Sequence, residues 1–251
     1  MDHRLAFIPL RVAIVSFLIS GCATPTRVGK GMSPQVLYSY GCSPGMKLSS
    51  VKGTVSIQVQ SKEISGRFLA HAQVASPEHL KFEVVNFLGG TEALISVQKD
   101  HFEIFSAHAD QIQNPTRDGF WAGVPLRWAA PLFLGRIPCP SSSEQLRMSV
   151  DSDGQLEILS PSADHKPYER FIFRFREVDG KPWPYQLTWE NRVTDKGNRE
   201  EWVLNTVEFK FDDPENHSSS PTQWEAQSAL GRVKVRWRKR ELFSAMQEKS
   251  F

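Results

Sequence analysis

The sequence predicts a mainly β fold: an antiparallel barrel or strongly curled sheet of about eleven strands, with a short apolar helix acting as lid or plug. Three observations lead there. Apolar and polar residues alternate with period two along most of the chain, turn-rich loops separate these runs, and one internal segment changes to helical spacing.

Taken in order, Pro34 to Tyr40 predicts a short helix, with Ser33 as its cap and Pro34 at its first position. Val55, Ile57 and Val59 then alternate with Ser56, Gln58 and Gln60, as Leu80, Phe82 and Val84 do with Lys81 and Glu83. Phe171, Phe173 and Phe175 repeat the pattern against Arg174 and Arg176, and Val233, Val235 and Trp237 against Lys234, Arg236 and Arg238. Each run reads as a half-buried strand. Further strands are expected at Arg67–Val74, Ala93–Lys99, His101–Ala107, Gln145–Val150, Gln155–Leu159, Tyr185–Arg192 and Glu201–Phe211. The segment 118–135 differs, because Leu126, Ala129, Ala130 and Phe133 fall on one helical face. Pro125 suits a first turn and Gly135 a C-cap, while Pro131 is expected to bend the axis. An apolar helix between runs of antiparallel strands suits a plug or lid.

The N-terminus carries a different kind of information. Arg4 and Arg11 precede or interrupt an apolar stretch, Ile8 to Ile19, too short to span a bilayer. It ends in Ile19-Ser20-Gly21-Cys22, which resembles the lipobox of bacterial lipoproteins. That resemblance implies that residues 1–21 are a signal peptide and that Cys22 becomes the lipidated first residue. Acyl chains at about 0.8 kcal/mol per buried CH₂ then anchor the protein to a membrane. Residues 22–33, rich in Pro, Gly and Thr, read as the lipidated cysteine and a flexible tether. Residues 34–243 form the folded domain, and 244–251 a tail expected to be disordered.

Composition narrows the chemistry. The whole chain has 30 basic and 28 acidic side chains, so no electrostatic case for nucleic acid exists. Beyond Cys22 there are only Cys42 and Cys139, which lack metal-site spacing and are a candidate disulfide in an oxidising compartment. No nucleophile elbow, paired-histidine metal helix or phosphate-binding glycine loop occurs, so neither enzyme activity nor a metal or other cofactor is expected. His71, His79, His101, His108 and His165 read as solvent-facing, and Glu200-Glu201 as a solvated pair. The basic run Arg232 to Arg240 suggests protection of an exposed sheet edge, with contact to lipid headgroups as the alternative.

Two passages carry a further resemblance. Asn86-Phe87-Leu88-Gly89 with Thr91-Glu92, and Leu134-Gly135-Arg136-Ile137-Pro138 after the apolar helix, resemble motifs of the LolB family of outer-membrane lipoprotein receptors. Gly66-Arg67-Phe68-Leu69 is similar to that family's preceding strand, and the likeness covers about residues 50–140. It implies an unclosed β-barrel with a helical lid, whose apolar concave face holds acyl chains. It also implies a monomer at the periplasmic face of the outer membrane, accepting lipoproteins from a LolA-like periplasmic carrier. Phe87, Leu88 and Gly89 would form a membrane-insertion loop, with Phe87 where the family motif has proline. Residues expected to face inward toward acyl chains are Phe68, Phe82, Val84, Phe102, Trp128, Phe173 and Phe175. Ala23 after the lipidated cysteine, in place of the aspartate that retains lipoproteins in the inner membrane, favours the outer membrane. The alternative is an envelope lipoprotein of the same fold that binds another hydrophobic ligand or serves as an assembly partner.

Overall fold

The computed structural model describes residues 28–62, 65–76, 79–86, 88–98, 101–106, 120–121, 123–140, 146–160, 168–194, 201–214 and 220–244. Helix α1, Pro34–Cys42, begins as its sequence dictates: the Ser33 hydroxyl accepts a hydrogen bond from the Val36 amide at 3.3 Å. The strands follow as β1 (Leu48–Ser61), β2 (Ser65–Ser76), β3 (His79–Val85), β4 (Thr91–Gln98) and β5 (His101–Ser106). A short pair, β6 (Phe120–Trp121) and β7 (Val124–Pro125), leads into a 3-10 turn, Leu126–Trp128, and helix α2, Ala129–Phe133. The chain continues as β8 (Arg147–Val150), β9 (Leu156–Ser160), β10 (Tyr168–Val178), β11 (Lys181–Thr194), β12 (Glu201–Phe211), β13 (Gln223–Ser228) and β14 (Gly231–Ser244).

Twelve of these strands form one antiparallel sheet in the order β5-β4-β3-β2-β1-β14-β13-β12-β11-β10-β9-β8. The edges β5 and β8 do not pair with each other, so the barrel is unclosed. Its strands are tilted, as closure geometry requires. One row of partners runs through Val85, Leu69, Ser56, Arg236 and Gln223, ending β3 at one side and starting β13 at the other. The turns β1–β2, β3–β4, β9–β10, β11–β12 and β13–β14 share one end of the sheet, and the remaining turns share the opposite end.

The period-two pattern decides which face is covered. Val55, Ile57 and Val59 on β1, Phe171 and Phe173 on β10, Val207 and Phe209 on β12, and Val233 and Val235 on β14 are buried. Their charged neighbours face outward. Across the concave face lies the segment around α2. Phe133 meets Phe82 edge-on at 4.7 Å and Trp224 at 5.6 Å, while Trp128 meets Trp189 at 4.9 Å and Phe209 at 5.8 Å. Helix α1 covers the β8–β11 side, where a Cβ on Gly41 would stand 3.2 Å from the Phe173 ring.

Three sequence expectations are amended. The main sheet has one more strand than the eleven expected, and the additional one is β13. The basic strand β14 is not an edge: it pairs with β1 and β13 in the middle of the sheet, so its Lys and Arg residues protect no open edge. Finally, Pro131 bends nothing. It falls in the first turn of a five-residue helix, where backbone N–H groups have no intrahelical partner.

Candidate functional site

The β3–β4 connection is built from its asparagine outward. The Asn86 side-chain oxygen accepts hydrogen bonds from the Leu88 amide at 3.0 Å and the Gly90 amide at 2.9 Å. Its backbone N–H donates to the Gly90 carbonyl at 2.9 Å, and its carbonyl accepts from Gly89 at 3.0 Å. One residue thus closes the turn four times over. Gly89 supplies the left-handed backbone, φ +83°, that the turn requires. Just behind, the Thr91 hydroxyl donates to the Glu83 carboxylate, tying the two strand ends. Leu88 stands at the apex with 80% of its surface exposed, the most exposed large apolar side chain among the described residues. Phe87 lies outside them. The Asx turn is the signal that the strand pattern does not use: an Asn three residues ahead of a Gly-Gly pair suits side-chain closure of a loop.

The concave-face candidates fall into two groups. Phe82, Trp128, Phe173 and Phe175 are buried, and Phe68 and Val84 are half-buried against the same core. Phe82 lies under Phe133, Phe173 and Phe175 stack at 6.2 Å beneath α1, and Trp128 belongs to the covering segment itself. The face is therefore apolar and occupied by the protein's own lid. Phe102 is on β5, opposite Val97, but its side chain lies outside the described residues.

Behind the lid, the chain is pinned. Gly135 ends α2 with φ +77°, its amide donating to the Leu132 carbonyl and the Arg136 amide to the Pro131 carbonyl. A Cβ there would approach Ser220 Cβ at 2.5 Å, so glycine is required for space as well as conformation. The Arg136 guanidinium donates to the carbonyls of Leu48 at 2.8 Å and Gly45 at 3.3 Å, and partial burial holds its pKa below the usual arginine value. Cys139 is disulfide-bonded to Cys42 at the end of α1, with Cα atoms 5.9 Å apart. Lid exit, α1 and the start of β1 are thereby one knot.

The convex face differs. A groove of about 320 Å³ is lined by Lys52, Thr54, His71, Lys81, Glu83 and Glu241 among others, a mixed-charge surface unsuited to acyl chains. His71 and His79 are exposed there. His101 has no described side chain, and His108, His165, Glu200 and Cys22 lie outside the described residues, as does the tail beyond Ser244. Among the described residues no group of three or more His, Cys, Asp or Glu could hold a metal, and no helix is long and apolar enough to cross a membrane.

The geometry defines a class: an open antiparallel β-barrel with an apolar interior under a short helical plug. No family model and no curated protein matches the sequence. Solved structures similar to it include the following three. One is a LolA superfamily protein from Nitrosomonas europaea, with TM-score 0.47 and 10% identity over 86% of this chain and 96% of that one. The second, from Vibrio parahaemolyticus, is a domain provisionally described as outer membrane lipoprotein-sorting, with TM-score 0.44 and 7% identity over 80% and 88%. The third is the Mycobacterium tuberculosis lipoprotein LppX, with TM-score 0.28 and 12% identity over 76% and 87%. Likeness this slight defines no shared function.

Proposed function

We propose that this chain is a non-enzymatic lipoprotein receptor, anchored through Cys22 at the periplasmic face of the outer membrane. It takes acyl chains from a periplasmic carrier into its apolar interior and passes them to the membrane. The observation that carries the proposal is Leu88: an 80% exposed leucine on a turn closed by Asn86, beside a sheet whose concave face is apolar. Packing gives no reason for a leucine there, whereas lipid does. Burial of its side chain contributes roughly 1.5–3 kcal/mol, enough for transient docking and far too little for anchoring.

The physical need is plain. A released acylated lipoprotein exposes tens of CH₂ groups at about 0.8 kcal/mol each, so it must pass directly between apolar environments. A receptor then needs an apolar face that can be uncovered, not a reacting group. The segment from Leu126 to Phe133 covers that face here, and acyl chains reach it only when Trp128 and Phe133 give way. The packed interior also favours a second reading, a lipoprotein of this architecture that holds a different hydrophobic ligand or docks a partner.

Transfer of a radiolabelled acylated lipoprotein from its carrier to the chain from residue 22 onward, carrying Cys22→Ser, separates the two. Efficient uptake is expected, and Leu88→Glu is expected to fold normally and take up cargo yet fail to deliver it to vesicles. Absence of uptake by the folded protein would discard the receptor reading in favour of another ligand.

A further inference from the structure

The exposed apolar side chains of the sheet are not scattered. Leu88, Leu230 (57% exposed), Leu204 (53%) and Val203 all lie at the end that carries the β3–β4 turn, and Leu69 and Phe105 follow close to the same end on β2 and β5. Leu230 occupies the β13–β14 turn, and Leu204 is the extra residue of a bulge near the start of β12. Away from that end, the exposed large apolar side chains among the described residues are Met46, before β1, and the less exposed Met32 and Val36 at the start of α1, where the chain lies against the β8–β9 turn. Tips of hairpins ordinarily carry polar residues, since nothing in the monomer covers them.

Charge divides along the same axis. The apolar end exposes Lys62, Arg67 and Arg147 against Glu92, among the described residues. The opposite end exposes Asp151, Asp153, Glu177, Asp179 and Asp213 against Lys30, Lys47, Lys81 and Lys181, among the described residues. Among the described residues the first end is the more apolar and has a surplus of basic side chains, and the second has a small surplus of acidic ones. An anionic bilayer attracts the first and repels the second.

From this coincidence we infer that the exposed apolar residues of the Leu88 end form a lipid-docking rim, in which Leu230, Val203 and Leu204 make a second apolar contact beside Leu88. The inference rests on the reading of the β3–β4 turn as lipid-seeking and extends it from one loop to a surface. Neighbouring strands are about 4.8 Å apart, and β3 and β14 are separated by β2 and β1, so the two contacts stand roughly 15 Å apart along the rim. Two separated contacts fix orientation as well as affinity; a lone leucine does not.

The test uses the chain from residue 22 onward carrying Cys22→Ser, which has neither the apolar leader nor a site for lipid attachment, with vesicles of phosphatidylethanolamine containing a minority of phosphatidylglycerol. Cosedimentation gives the partition coefficient, and melting temperature reports folding. Leu230→Glu and Leu204→Glu are each expected to lower the partition about tenfold, as is Leu88→Glu, with Met46→Glu without effect. Wild-type partition by the Leu230→Glu and Leu204→Glu variants overturns the rim, as does failure of the unsubstituted chain to bind vesicles. A doubling of solution mass that Leu230→Glu abolishes, without vesicle binding, would assign the surface to a second copy instead. Carrier-to-chain uptake measured without vesicles is expected to survive all four substitutions. Its loss in the unsubstituted chain would overturn the receptor reading while leaving the rim standing.

Discussion

Asn86 and Leu88 are two residues apart and have opposite energetic characters. Leu88 contributes little to the fold, because its side chain is mostly in water; Leu88→Glu should change unfolding free energy by no more than about 0.5 kcal/mol. Asn86 holds the turn. Removing its side-chain oxygen frees the amides of Leu88 and Gly90, two hydrogen bonds with a net value of about 0.5–1.5 kcal/mol each. Asn86→Ala is therefore expected to speed hydrogen exchange at both amides and to weaken vesicle binding, although the leucine is intact. Asn86→Asp keeps the acceptor and should restore protection. Equal exchange in Asn86→Ala and the unsubstituted chain would show that the backbone alone sets the turn.

The strands whose alternation is strongest in the sequence carry large inward residues, whereas β2 places Ala70 and Ala72 inward and reads more weakly. Phe171-Ile172-Phe173 and Val233-Lys234-Val235 show period two because a wide apolar group is required at every inward position. Strand β13 is short and places Ala226 inward between Trp224 and Ser228, so its alternation has low contrast. Position in the sheet was not legible either. β14 is last in the chain but sits between β1 and β13, and long-range pairing leaves no local trace in a strand that reads as basic outside and apolar inside. Leu88 was legible only through a resemblance, since a lone leucine in a turn looks like any other, and the rim leucines required knowledge of which turns share an end. The lid was visible from helical spacing, and its attachment has measurable energetics. The Cys42–Cys139 bond closes a loop of 97 residues, which in the chain-entropy account stabilises the fold by about 4–5 kcal/mol. Cys139→Ser should lower the urea midpoint accordingly. Phe133→Ala, which empties the space between Phe82, Trp224 and Trp237, should cost about 3–5 kcal/mol on the same assay. A loss under 1 kcal/mol in the latter would mean that the lid is loosely held and opens at little cost.

At the scale of the molecule, the proposed anchor and the proposed rim must reach one bilayer. The described chain begins against the β8–β9 turn, where the carbonyl of Val28 and the amide of Lys30 lie 3.0 Å from the position of a Cβ on Gly154. That turn belongs to the end opposite Leu88. Six residue steps separate Cys22 from Val28, a reach of at most about 20 Å. Beside the opening the strands are short: β9 has five residues, about 17 Å along its axis. A lipid anchor attached at Cys22 can thus span the β8–β9 flank and bring the Leu88 end to the same membrane, but with little slack. Deleting residues 24–27 leaves Cys22 and Ala23 in place for lipidation and sorting and shortens the reach to about 7 Å. The lipidated deletion variant is expected to accept cargo from the carrier normally and to deliver it poorly, whereas inserting a flexible Gly-Ser stretch after Ala23 should leave delivery unchanged. Full delivery by the shortened chain would mean that the rim acts on a surface other than the anchoring membrane, since the tether could no longer bring both to one bilayer.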